Sequence, residues 1–196
     1  LLILVFDMCD TLFSIYGYGI LKQNNDSLIN ELKEELTVSP KGNFTITNES
    51  AKFCIYTEND KRIYIPRYYA LQKFGIPIKN TLKKGLNCPN LIFQGSLREQ
   101  QKEPVNNFIK AALDPIKKGG IISVPCGFGK TIRAVYIACY FKKKTMFVSH
   151  KDFLNQQFLD SVKLFVPNAR IGKIKQSKID VDDKDIIIAS LQSLAM

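Results

Sequence analysis

Along the first third of the chain the apolar positions come in short, irregular groups. Residues 27–36 place Leu28, Ile29, Leu32 and Leu36 on one side of a helix with Glu and Lys opposite, and Ser27 is the candidate N-cap. Runs at 43–47 and 52–57 predict strands, and the turn-forming pair Asn59 and Asp60 separates the second from a third strand at 62–65. These elements predict a small α+β domain over residues 1–78. Residues 79–90, with Lys83, Lys84, Gly85 and Pro89, predict a basic linker. After Leu91 the rhythm changes. A helix at 100–113 precedes a largely apolar run at 120–124, of the kind buried on both faces of a sheet. A mostly apolar helix at 132–141 and a strand at 145–149 follow, then a helix at 152–165 with Phe153, Leu154, Phe158, Val162 and Phe165 near helical spacing, and another buried strand at 185–189. Alternation of this kind predicts an α/β fold, a parallel sheet with flanking crossover helices.

No apolar run reaches the ~18 residues that a membrane-spanning helix needs, so no membrane partner is expected. The five cysteines, 9, 54, 88, 126 and 139, show neither paired spacing nor a CxxC motif, which predicts a reducing, intracellular setting without disulfides or zinc. The net charge of +10 is uneven: residues 1–60 carry 4 Lys/Arg against 9 Asp/Glu, and residues 61–120 carry 12 against 3. That asymmetry points to a polyanion such as nucleic acid, although lysine-rich composition alone would produce it too. The aromatics and cations between Arg62 and Phe74 admit the same two readings, base stacking or a core with a charged rim. A first residue other than Met and a strand-like run near the end are expected marks of a fragment.

The strongest chemical signal is Val124-Pro125-Cys126-Gly127-Phe128-Gly129-Lys130-Thr131, between an apolar run and an apolar helix. Gly127 and Gly129 let successive backbone N–H groups curl around a phosphate, and the following helix adds its positive end. Lys130 would reach the β- and γ-phosphates of ATP, and the Thr131 hydroxyl would be a ligand to Mg²⁺. Cys126 is a filler of the loop, since His150 is the only histidine and lies far along the chain.

Around this loop the chain resembles the superfamily 2 helicases of the restriction-enzyme-subunit and UvrB-like type. Leu97, Arg98 and Gln101 are similar to the stretch before the ATP loop in which a glutamine reads adenine. Ser149, His150 and Lys151 resemble motif Ia, and Ser190 and Gln192 a later motif that touches the bound strand. Residues 35–75 resemble the N-terminal unit of poxvirus-type transcript-release and XPB-like helicases of large DNA viruses. The resemblance implies a partial RecA-like ATP-binding domain over residues 91–196. Its nucleotide site would be Arg98, Gln101, Pro125, Cys126, Gly127, Phe128, Gly129, Lys130 and Thr131, with Lys130 and Thr131 catalytic, and its partner a nucleic-acid strand, DNA ahead of RNA. It further implies that a DExH motif and a second helicase domain belong to the same parent chain, so these 196 residues alone are expected not to hydrolyse ATP. A nucleic-acid-binding module with an idle phosphate loop, or a P-loop enzyme of another class such as a kinase, are the alternatives.

Overall fold

The computed structural model describes residues 11–39 and 52–195, which fall into two compact units, Leu1–Lys83 and Lys84–Met196. In the first, β1 (Thr11–Ser14) and β2 (Gly17–Leu21) form a hairpin that turns at Gly17, whose φ of 118° excludes most side chains. Helix α1 (Asp26–Glu35) follows, then β3 (Thr37–Val38), β4 (Phe53–Cys54), β5 (Thr57–Glu58), β6 (Arg62–Ile65), α2 (Arg67–Phe74) and β7 (Lys79–Asn80). The main sheet runs β5-β6-β2-β1-β7, antiparallel except for the β1–β7 pair. Phe13, Tyr18, Ile20, Ile29, Leu32, Ile63, Ile65 and Ala70 fill its core.

Helix α1 starts one residue before its expected position. Asn25, not Ser27, occupies the N-cap position. The strand expected at 52–57 breaks into β4 and β5, and the one expected at 43–47 lies outside the described residues. The Asn59 turn forms as read, its Oδ1 accepting from the N–H groups of Lys61 and Arg62. Much of the basic, aromatic stretch at 62–74 is engaged in packing. Lys73 is bound by Glu31 and Glu35, and the Arg67 guanidinium lies 4.5 Å over the Phe13 ring.

The second unit contains α3 (Glu99–Leu113), α4 (Lys130–Phe141), β8 (Thr145–Ser149), α5 (Asp152–Phe165), β9 (Ile171–Lys175), β10 (Lys178–Asp180), β11 (Ile186–Ser190) and α6 (Leu191–Leu194). Its sheet runs β10-β9-β11-β8, with β9, β11 and β8 parallel and β10 antiparallel at the edge. Helix α5 lies over β8 and β11, its Phe158 stacked on Phe147 at 3.8 Å, and α4 packs beside α5. Residues 84–94 strap this unit: Cys88 N–H donates to Lys142 O, and Gln94 N–H to Phe165 O. The chain is thus α/β, preceded by a smaller α+β unit. Among the described residues no helix is long and apolar enough to cross a membrane.

Two expectations fail here. Residues 120–124 join no sheet, and Ile121 is 96% exposed. Hydrophobicity made this run look like a central strand, but a central strand also needs ladder partners, and among the described residues β8 pairs only with β11. Instead Ile122, with Phe108, Ile137 and Phe141, lines an apolar cavity of about 380 Å³ beside Lys130. The second is Phe153, whose spacing suggested the buried face of its helix. It is 67% exposed, because α5 buries the face that carries Phe158, Leu159 and Val162, and Phe153 falls outside it.

Candidate functional site

The candidate phosphate loop takes its shape from two glycines. Gly127 has φ 83° and Gly129 φ 71°, both left-handed, and Gly129 is the residue from which α4 springs. The N–H groups at the start of α4 therefore open toward the loop, the arrangement that attracts a phosphate. Lys130 is exposed and makes no ion pair among the described residues, and Thr131 is half-buried one residue further on. Pro125, Cys126 and Phe128 are exposed along the loop, and Cys126 is a free thiol. Cys139, on the buried side of α4, has its thiol pushed up to about 11 by burial.

Helix α3 meets the loop through Gln101. This side chain is buried, and its Oε1 accepts from the Arg98 N–H at 3.0 Å, the glutamine half of a capping box. Its amide nitrogen lies directly over Gly129, so closely that a Cβ there would collide with it. Arg98 is exposed at the N-cap of α3. One acceptor of Gln101 is therefore already engaged in starting the helix, and its nitrogen faces the loop.

One residue that the sequence did not single out belongs beside them. Pro104, inside α3, has no N–H and so leaves the carbonyl of Gln100 without its helical donor. Arg133 Nη2 donates to that oxygen at 3.1 Å. Arg133 is 1% exposed, while its Nε and Nη1 have no hydrogen-bond partner. A lone arginine in the apolar stretch 132–141 was the available signal.

The other candidates gather at the carboxyl ends of two paired strands. The parallel register of β8 and β11 sets Ser149 opposite Ser190. Ser149 Oγ lies 2.9 Å from Asn155 Oδ1 and 3.0 Å from Lys151 O. Ser190 caps α6, its Oγ accepting from Ser193 N–H, and Gln192 Nε2 donates to His150 O across the two strand ends. His150 and Lys151 are exposed at the start of α5. Carboxyl ends of parallel strands are where open α/β sheets bind ligands. At the opposite end of β11, Asp185 is buried and bound by the Arg170 guanidinium, which holds its carboxyl below the usual carboxylate range.

Residues 94–196 match the family model described as type III restriction enzyme, res subunit. A protein of Acanthamoeba polyphaga mimivirus, named as an ATP-dependent RNA helicase, is 36% identical over 92% of this chain and 35% of its own length. A protein of invertebrate iridescent virus 3, named as a helicase, is 26% identical over 80% of this chain and 50% of its own. The chain thus spans a third to a half of the length of these relatives. The SWI2/SNF2 ATPase core of Sulfolobus solfataricus, solved with double-stranded DNA, matches 57% of this chain and 24% of its own at 20% identity and a TM-score of 0.44. With its family model covering more than half of the residues, the chain belongs to the res-subunit family of type III restriction enzymes, within the superfamily 2 helicases.

Proposed function

We propose that this chain is the ATP-binding part of a helicase or translocase motor, with the phosphates of ATP on residues 127–131 and a nucleic-acid strand across Ser149, His150, Lys151, Ser190 and Gln192. The observation that carries this reading is the left-handed pair Gly127 and Gly129 at the head of α4, with Lys130 exposed beside it. That backbone suits a phosphate, because positive φ at both positions turns the intervening N–H groups toward one centre. Mg²⁺ would lower the charge on the phosphates, with the Thr131 hydroxyl as one ligand. Among the described residues no cluster of three acidic, His or Cys side chains could hold a metal by itself, so Thr131 and the nucleotide would share the ion with groups from elsewhere. The Gln101 nitrogen supplies a donor near the loop, and its engaged Oε1 limits what it could offer an adenine. Ser149, Lys151 and the first N–H groups of α5 would hold the strand by its phosphates.

The test is nucleotide binding by the full-length protein. Lys130→Ala should lower affinity for ATP–Mg²⁺ at least tenfold and abolish strand-stimulated hydrolysis, as followed by calorimetry and phosphate release. Unchanged affinity overturns the proposal and favours the rival reading, a nucleic-acid-binding module with an idle loop.

A further inference from the structure

Beside the strand ends is a cleft that the nucleotide and phosphate contacts above leave unused. It has a volume of about 340 Å³, within the usual range for a ligand pocket, and lies between the first turn of α5 and the ends of β9 and β11. Phe153 forms one wall. A phenylalanine 67% exposed at the mouth of the cleft, on a helix that buries Phe158, is a flat apolar surface that makes no ring contact among the described residues. The opposite wall is basic. Lys173 and Lys175 alternate along β9 and so share a face; Lys175 is held by Asp152 at 2.7 Å, while Lys173 has no ion pair among the described residues. Two amides of α5 also line the cleft, each with one end engaged. Asn155 Oδ1 is taken by Ser149, leaving its nitrogen to donate, and Gln156 Nε2 is taken by Asp160, leaving its oxygen to accept. Ser190 lines the same cleft, so it is continuous with the proposed strand path.

We propose that this cleft seats one base of the bound single strand, stacked on Phe153, with Lys173 holding the adjoining phosphate. The chemistry is that of single-strand recognition: an aromatic face accepts any base, a cation tracks the backbone, and amides meet the base edge. The inference rests on the proposed strand path, and it adds a base contact where that path supplied only backbone contacts.

The chain contains no tryptophan, so Phe153→Trp introduces a single indole as a reporter. Oligothymidylate and oligouridylate should quench its fluorescence, whereas an abasic oligonucleotide of equal length and inorganic polyphosphate should not. Phe153→Ala should weaken binding about 5- to 100-fold without changing its salt dependence. Lys173→Ala should lower the slope of affinity against salt by about one contact. Because both side chains are exposed, neither change threatens folding, and far-UV circular dichroism checks this. Equal binding by Phe153→Ala and the parent protein, or equal quenching by the abasic strand, overturns the base-stacking inference; a Lys151→Ala loss would then still uphold the strand path. Failure of the unaltered protein to bind any oligonucleotide overturns both.

Discussion

At the scale of single residues, Gly127 and Gly129 carry the same motif letter but are held by different constraints. Each needs positive φ, yet only Gly129 is crowded, by the Gln101 amide; a Cβ on Gly127 meets nothing within 4 Å. Gly127→Ala should therefore cost only the left-handed penalty, about 1–2 kcal/mol. Gly129→Ala should cost more, and Gln101→Ala in the same molecule should return part of the difference; urea unfolding of the four variants measures it as a double-mutant cycle. The bend of the loop was legible in the sequence because left-handed backbone favours glycine, and Gly127 and Gly129 stand where it occurs. The role of Gln101 as a helix cap was not, since its reach back to Arg98 depends on where α3 begins. Arg133 was missed for a similar reason: its burial follows from a carbonyl freed by Pro104 on another helix.

At the scale of elements, α1, α3, α4 and α5 were read to within two residues at either end, whereas α2, α6 and many of the strands were not read at all. Amphipathic helices declare themselves locally, and α5 begins and ends where its pattern does. A strand also needs a neighbour. The run at 120–124 is apolar enough for a sheet interior yet stays outside it, whereas β9 and β10, rich in lysine, were unexpected and are paired. The strand β11 depends on its polar flank. Asp185 is 1% exposed and receives three bonds from Arg170, at 2.8 to 3.1 Å. Arg170→Ala should destabilise the second unit by about 2 kcal/mol at pH 7, since it strips a buried carboxylate of its counter-charge. Because Arg170 lowers the pKa of Asp185, the stabilisation is complete above the unfolded value near 4 and is lost as pH falls through the lowered native value. The gap between variant and parent should hence narrow in acid, as denaturant titrations at pH 7 and pH 3 would record; a gap that widened would refute the assignment.

At the scale of the whole molecule, the charge asymmetry follows the unit boundary more closely than the sequence suggested. Residues 1–83 carry 10 Lys/Arg against 9 Asp/Glu, and residues 84–196 carry 18 against 9. In the first unit Lys22, Lys33 and Lys73 are paired with Glu58, Glu31 and Glu35, while Lys130, Lys151 and Lys173 of the second have no ion pair among the described residues. Strand binding should accordingly weaken at least tenfold between about 50 and 200 mM salt. Lys151→Ala should reduce that slope, and Lys73→Ala should leave it unchanged; fluorescence anisotropy across a salt series distinguishes them.

The pairing of Asp185 with Arg170 also bears on the far end of its strand. Ile186, Ile187, Ile188 and Ala189 are buried on both faces, so sliding this segment by one position would exchange one aliphatic group for another and meet little resistance from the core. Polar groups at its two ends break that near-degeneracy. The ion pair acts as an index mark, fixing which residue emerges beside Ser149 about 16 Å away, at roughly 3.3 Å per residue. A charge remote from every proposed ligand contact thereby determines that a hydroxyl, and not a methyl group, stands beside Ser149 on the proposed strand path.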